Sequence, residues 1–273
     1  MSISPARGIP IPQELVNGRH KARTRSLHEQ TVKVSVVIPA LNEERNVPYV
    51  FAGLPSDLFE VILVDGNSSD NTVAAARAIF PAVRVVQQVG KGKGAALRSG
   101  YNAAQGDIIV TLDADGSMDG AEIERFVSAL VEGADFAKGS RFLKGAGSAD
   151  ITWLRHLGNG VFTGLVNLLY GTQYTDITYG YNAFWSRLKP FMNVACDGFA
   201  YEILINCRTA KRGLNVSEVP SYERARIHGA SKLNAIRDGL GVLKVIIRER
   251  FSREYGSMSN VMLEEYRIAE ETN

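Results

Sequence analysis

The sequence predicts an α/β fold in which a mostly parallel sheet is covered by helices on both faces. Three observations predict it. β-branched runs alternate with stretches of helical spacing from Val32 to Gly139. The runs are apolar on both faces, as expected of strands buried beneath helices on either side. Three of them end on Pro39, Asp65 and Asp113, and open sheets of this kind bind ligands beyond the carboxyl ends of their strands.

Each element follows from its residues. Val32 to Ile38 is β-branched and stops at Pro39, a strand with a hard end. Glu43 to Gly53 reads as a helix. Glu60 to Val64 is the second strand, ending at Asp65. Ser69 or Asp70 is expected to cap the next helix, which holds Ala74, Ala75, Ala76 and Ile79. Val83 to Gln88 is the third strand, Lys93 to Ala104 a helix, and Asp107 to Leu112 the fourth strand, ending at Asp113. Asp119 to Glu132 is a helix and Asp135 to Gly139 a short strand. Beyond Arg141 the rhythm changes. A helix over Leu154 to Tyr170 gives way to a Thr- and Tyr-rich stretch through Trp185. A helix over Phe199 to Lys211, a strand over Leu214 to Val219 and a long helix over Ser231 to Arg250 follow.

At 273 residues, 45% hydrophobic and 22% charged, the chain can bury an ordinary core. The expected division is a flexible arm over 1–31, one domain over 32–253 and an acidic tail over 254–273. The arm is basic through Arg19, Lys21, Arg23 and Arg25, and the tail carries Glu264, Glu265, Glu270 and Glu271. A net charge of +2 is too small for general nucleic-acid binding, and no nucleic-acid partner is expected. Cys196 and Cys207 stand outside any metal-ligand spacing, which fits a reducing compartment. There is no apolar leader and no run long enough to span a bilayer. The expectation is a cytoplasmic protein, able to touch a membrane from that side.

The strongest chemical signal is Asp113-Ala114-Asp115 at the end of the fourth strand. Residues two apart in extended chain point the same way, so both carboxylates can face the ligand edge. Hard oxygen ligands of this kind suit Mg²⁺ or Mn²⁺, although two acids after a strand can equally cap a loop. Asp65-Gly66-Asn67-Ser68-Ser69-Asp70 opens a helix; Ser68 and Asp70 can accept or donate at a nucleoside, and Asp65, not needed for capping, is free to meet a base or ribose. Pro39-Ala40-Leu41-Asn42-Glu43-Glu44 does the same after the first strand; there Asn42 could cap the helix and the glutamates favour its N-terminus. Gly90-Lys91-Gly92-Lys93-Gly94 precedes another helix but fits neither the P-loop nor the dinucleotide-binding fingerprint. Lys93 and the amide of Gly94 are still expected near a bound phosphate.

Taken in order, V-S-V-V-I-P-A-L-N-E-E, V-D-G-N-S-S-D-N-T, G-K-G-A-A-L and D-A-D resemble the family-2 inverting glycosyltransferases of GT-A fold, with a Rossmann-like sheet. In the second half, G-S-R-F at Gly139, W-L-R at Trp153 and D-I-T-Y-G-Y at Asp176 resemble the dolichol-phosphate mannosyltransferase branch. So do D-G-F-A-Y-E at Asp197 and H-G-A-S-K-L at His228. The resemblance covers roughly Val34 to Leu233. It implies a donor half and an acceptor half. Pro39, Ala40, Asn42, Glu43, Asp65 and Ser68 would hold the nucleoside of a UDP- or GDP-sugar. Asp113, Ala114 and Asp115 would meet the metal and the donor diphosphate, with Lys93 and Gly94 near the donor. A polyprenyl phosphate acceptor would meet Arg141 and Arg155, with Arg226 and Lys232 closing over the phosphates. Asp115, Arg141 and Asp176 would be the catalytic residues, Asp176 as the catalytic carboxylate. Each of these arginines could instead form a surface ion pair.

The chain departs from that pattern in three places. Ser117 stands where relatives often carry Gln, Gly66 replaces the second Asp of a common doublet, and no membrane span follows the last motif. A soluble small-molecule acceptor is therefore the alternative. In the final helix Leu233, Ile236, Leu240, Leu243 and Ile247 share one face, with Arg237, Lys244, Arg248, Arg250 and Arg253 in and just beyond it. Such a helix can pack on its own domain or lie on an anionic membrane surface.

Overall fold

The computed structural model of the chain describes residues 32–193, 196, 198, 200–229 and 235–252, and for 235–238 the backbone alone. The expected arm, the acidic tail, Lys232, Leu233 and Arg253 lie outside the described residues.

Strands β1 (Val34–Ala40), β2 (Glu60–Asp65), β3 (Arg84–Gln87) and β4 (Ile108–Thr111) alternate with helices α1 (Val47–Ala52), α2 (Thr72–Ile79) and α3 (Lys93–Ala103). A 3-10 turn at Gly120–Glu122 leads into α4 (Ile123–Val131), and β5 (Phe136–Ser140) follows. The second half holds β6 (Gly147–Ser148), α5 (Trp153–Tyr170), β7 (Asn182–Trp185), α6 (Lys189–Met192) and α7 (Ala200–Lys211). It ends with β8 (Val216–Pro220), β9 (Tyr222–Glu223) and α8 (Ala235–Phe251).

Seven strands pair in the order β3-β2-β1-β4-β7-β5-β8, and β6 pairs with β9 beside them. Every neighbouring pair is parallel except those of β7, which runs antiparallel to both β4 and β5. The parallel sheet expected from the two-sided apolar runs is present. β7 is the addition: its four residues sit in a run of aromatic and small side chains with no alternation to mark a strand. Val36, Val37, Ile38, Ile62, Leu63, Ile109 and Val110 expose no surface. One face of the sheet packs on Val50, Phe51, Ile123, Phe126 and Leu130 from α1 and α4. The other packs on Leu97 and Tyr101 of α3 and Leu204 and Ile205 of α7. Each such side chain contributes about 1.5–3 kcal/mol by leaving water. A third cluster, including Val166, Ile203, Cys207, Val242 and Ile246, joins α5, α7 and α8.

Two local expectations change. The helix after β1 begins at Val47 and not at Glu43, because the intervening backbone turns on itself, with Asn46 N–H donating to the Glu43 carbonyl at 2.9 Å. Asn71, not Ser69 or Asp70, holds the N-cap position of α2, but Asp70 accepts from the Thr72 N–H at 3.0 Å and does the capping work from one residue earlier.

Candidate active site

The sheet's carboxyl edge places the loops after β1 and β2 side by side, because Ala40 and Asp65 are register partners. Gly66 N–H donates to the Ala40 carbonyl at 2.8 Å. Asn42 takes a left-handed backbone, φ 58°. It does not cap a helix: its Oδ1 accepts from Ser69 N–H at 2.8 Å, and its own N–H donates to Ser68 Oγ at 3.0 Å. Glu43 N–H donates to Thr72 Oγ1 at 2.8 Å, and Asp65 accepts from Ser68 N–H at 3.2 Å. Pro39, Ala40, Asn42, Glu43, Asp65 and Ser68 are thus brought together as one stitched platform. They lie beside the main cavity and not in its lining.

That cavity, of about 390 Å³, opens at the end of β4 and is lined by Asp113, Asp115, Lys93, Arg141, Arg155 and Arg226 among others. Gly116, at φ +80°, turns the chain sharply after the two carboxylates, and Ile227 packs where a side chain there would stand. Ala114 between them is buried. Lys93 Nζ lies 2.7 Å from Asp113 Oδ1 and 2.6 Å from Glu202 Oε1. Burial pushes the Asp113 carboxyl up to about 6; Lys93 pulls it down, while Asp115 and Glu202 repel its charge. Burial alone would favour neutral Lys93, but the carboxylates of Asp113 and Glu202 outweigh it and hold the ammonium protonated. Asp115 pairs with Arg226 at 2.7 Å and accepts from Ser117 N–H at 2.9 Å. Arg226 also reaches Glu43, at 3.7 Å, and so links the platform to the cavity.

Gly94 stands in the first turn of α3, next to Lys93, and outside the cavity lining. Gly94 is buried in α3, and a Cβ there would collide with the Cys196 carbonyl and press on Tyr201. Its missing side chain serves close packing.

Asp176 stands apart from the other expected site residues. It exposes no surface and stands behind Arg141, outside the cavity lining. Its Oδ2 accepts from Arg141 Nε at 2.7 Å and its Oδ1 from Nη2 at 3.1 Å. Burial raises the Asp176 carboxyl, but the Arg141 guanidinium outweighs it and holds the pKa below the usual carboxylate range. A catalytic carboxylate must touch the reacting atoms; Asp176 instead fixes Arg141. Arg141 itself also donates to Glu223 at 3.0 Å and Thr178 Oγ1 at 2.8 Å. Thr178 Oγ1 in turn donates to Asn159 Oδ1 of α5 at 2.9 Å. Among the described residues the Arg155 side chain, by contrast, has a single long contact, 3.4 Å to Asp150, and it is partly exposed at the cavity wall.

Sequence reasoning gave no role to Glu202, Glu223, Asn159 or Thr178. Glu202 carried a signal: it is the acid in the apolar run Tyr201-Glu202-Ile203-Leu204-Ile205, and such an acid needs a buried partner. The apolar wall was also missed. Leu154, Leu157, Val161 and Phe162 of α5 and Val242 of α8 also line the cavity.

The donor set suits a hard divalent cation. Asp113 and Asp115 offer only carboxylate oxygens to the cavity, and their mutual repulsion is part of what raises Asp113. Among the described residues no group of three or more His, Cys, Asp or Glu is gathered for a metal. Two carboxylates completed by phosphate oxygens and water is the coordination Mg²⁺ favours.

The chain is similar to known proteins. The model of a family described as glycosyl transferase family 2 matches residues 35–203. The chain is 31% identical over 209 residues to glycosyltransferase AglJ of Haloferax volcanii, spanning 76% of this chain and 68% of that one. It is 29% identical over 269 residues to polyprenol monophosphomannose synthase of Mycolicibacterium smegmatis, spanning 91% and 98%. To dolichol-phosphate mannosyltransferase of Pyrococcus furiosus it is 28% identical, spanning 74% and 59%. Glucosyl-3-phosphoglycerate synthase from Mycobacterium tuberculosis, solved in complex with UDP, shares the fold with a TM-score of 0.64 at 24% identity, over 82% of each chain.

Proposed function

The chain belongs to glycosyl transferase family 2, and we propose that it moves a sugar from a UDP- or GDP-sugar to the phosphate of a polyprenyl phosphate, with inversion, using Mg²⁺ or Mn²⁺. One observation carries the choice of acceptor: the same cavity is lined both by carboxylates and cations and by apolar side chains of α5 and α8. That combination suits a molecule with a phosphate head and a hydrocarbon tail. The relatives named for polyprenol and dolichol phosphate support the same class.

In this reading the platform of Pro39, Ala40, Asn42, Glu43, Asp65 and Ser68 holds the nucleoside. A divalent cation held by Asp113 and Asp115 would draw negative charge from the departing diphosphate. Lys93 keeps Asp113 ionised and fixed in direction. Arg226, between Asp115 and Glu43, is placed where platform and cavity meet and closes on the diphosphate. Arg155, the cation least engaged with the protein, takes the acceptor phosphate, and guanidinium geometry suits its oxygens. Arg141 steadies that side through the bonds that Asp176 and Glu223 impose on it. An acceptor oxygen attacks the anomeric carbon from the face opposite the diphosphate. The new carbon–oxygen bond forms as the old one breaks, and the electron pair leaves on the diphosphate. The acceptor is already an anion, so it needs positioning more than a base.

The test offers labelled UDP- and GDP-sugars, each with Mg²⁺, Mn²⁺ or chelator, to the protein with polyprenyl phosphate in detergent. Metal-dependent label in the organic phase is expected. Label that stays in water while free nucleotide accumulates would replace this acceptor with a soluble one.

A further inference from the structure

Helix α5 is amphipathic in the wrong sense for a helix facing water. Its inward side carries Asn159 and Thr163 beside Val166. Its outward stripe is Leu154, Leu157, Val161 and Leu168, with Trp153 at its start, exposed by 77%. Asn159 finds partners inside, accepting from Thr178 Oγ1 and Ile177 N–H. An outward apolar stripe on an 18-residue helix has no such compensation in water.

Helix α8 lies against α5 and continues the stripe. Tyr170 donates to the Ile246 carbonyl at 2.9 Å, and Arg250 Nε donates to the Leu169 carbonyl at 2.8 Å. Val242 and Ile246 face inward, whereas Leu240, Leu243, Ile247 and Phe251 face outward at helical spacing. Nine of the fifteen large apolar side chains exposed among the described residues stand on these two helices. An apolar surface of that continuity marks an interaction site.

The charge on the same face selects the partner. Lys244, Arg248 and Arg250 are exposed along α8. Among the described side chains of the two helices the only carboxylate is Glu249, which is buried and paired with Arg208. The outward stripe also merges with the cavity, because Leu154, Leu157 and Val161 belong to both. No helix of the described residues is long and apolar enough to cross a membrane, so contact would be made by lying in the surface.

We propose that α5 and α8 together form a face that docks on an anionic phospholipid bilayer, sinking their shared apolar stripe among the acyl chains while Lys244, Arg248 and Arg250 meet the headgroups. Docked in this way, the cavity opens directly onto the lipid phase beside Leu157 and Val161, and a lipid acceptor slides in without leaving the bilayer. This use of the face rests on the proposed lipid acceptor; the docking itself rests only on the two helices.

The experiment sediments the full chain with sugar-free, acceptor-free vesicles of phosphatidylcholine, alone or with about a third phosphatidylglycerol, at low and high salt. It is repeated with Leu168→Glu and Ile247→Glu, which lie outside the cavity lining. Binding to the anionic vesicles is expected, with weaker binding in high salt and about a tenfold loss in each variant. The Trp153 emission should shift to shorter wavelength on binding. Circular dichroism checks that both variants fold, and their turnover of detergent-dispersed acceptor should match the parent chain. A parent chain that stays in the supernatant, or variants that sediment as it does, overturns the proposal. So does a dimer in sedimentation velocity that both variants break, since a second copy would then cover the face. A chain that docks but transfers no sugar to polyprenyl phosphate would retain this inference and lose the proposed acceptor.

Discussion

The Arg226 guanidinium lies 2.7 Å from Asp115 Oδ2, so a protein cation rests on one of the two carboxylates offered to a divalent ion. The loop that carries it is fastened there independently, since Ile227 N–H donates to the Asp115 carbonyl at 3.3 Å and Arg224 N–H to the Ser117 carbonyl at 2.8 Å. Arg226 and the metal therefore compete for the same charge. Partly exposed ion pairs are worth about 0–1 kcal/mol. Arg226→Gln should accordingly tighten Mn²⁺ binding to the free protein by up to about fivefold, read by electron paramagnetic resonance. It should raise the donor KM, because a phosphate-facing cation is lost. Unchanged Mn²⁺ affinity would show that the pair does not guard the site.

Asp115→Asn removes charge from the cavity without opening the core. Metal-stimulated turnover should drop at least about a hundredfold, since even groups one step behind a metal ligand are worth 10–100-fold. The circular-dichroism melt should stay near that of the parent chain. A fully active Asp115→Asn enzyme would end the metal assignment.

Lys93→Met leaves Asp113 and Glu202 facing one another with no cation between them. Breaking a buried pair by deleting one partner costs about 3–5 kcal/mol, to be read as a shift in the urea midpoint. Glu202→Gln, which keeps the shape and the Lys93–Asp113 pair, should cost clearly less. Equal losses in the two variants would mean that the charges are not coupled.

Asp176→Asn should weaken the fold at neutral pH by about 3–5 kcal/mol, because Arg141 loses its buried counter-charge. The sign of the pH dependence follows from the depressed Asp176 pKa. A carboxylate more acidic when folded stabilises the fold above its unfolded pKa of about 3.9 and loses that contribution as pH falls through the folded value. The gap between parent and variant should thus be full at pH 7 and narrow below about pH 4. A gap that is the same at pH 7 and at pH 3 would contradict the assignment of Asp176 to Arg141.

The first half of the molecule was legible in its residues. Two-sided apolar runs have no stable place except a covered parallel sheet, and Pro39, Asp65 and Asp113 marked the edge at which the site forms. The second half was less so. β7 borrows its pairing from β4 and β5, partners far away in sequence. The surroundings of Asp176 and Gly94 also depended on distance: nothing in D-I-T-Y-G-Y says that its carboxylate is buried against Arg141, and nothing in G-K-G-K-G says that its last glycine packs close to Cys196. The helix over Leu154 to Tyr170 was legible, but which of its faces is exposed was not, and only burial reveals that its apolar stripe looks outward.

The most direct test of the central claim measures kcat/KM for a series of polyprenyl phosphates of increasing chain length in one detergent, with the preferred nucleotide-sugar. Each buried methylene is worth about 0.8 kcal/mol, and 1.4 kcal/mol is tenfold. If the wall of Leu157, Val161 and Phe162 grips the tail, kcat/KM should rise by at least about tenfold from one isoprene unit to two, and Val161→Asn should flatten that rise while leaving the shortest acceptor nearly as good a substrate. A kcat/KM that ignores chain length, in the parent chain and the variant alike, would contradict a lipid acceptor bound along that wall.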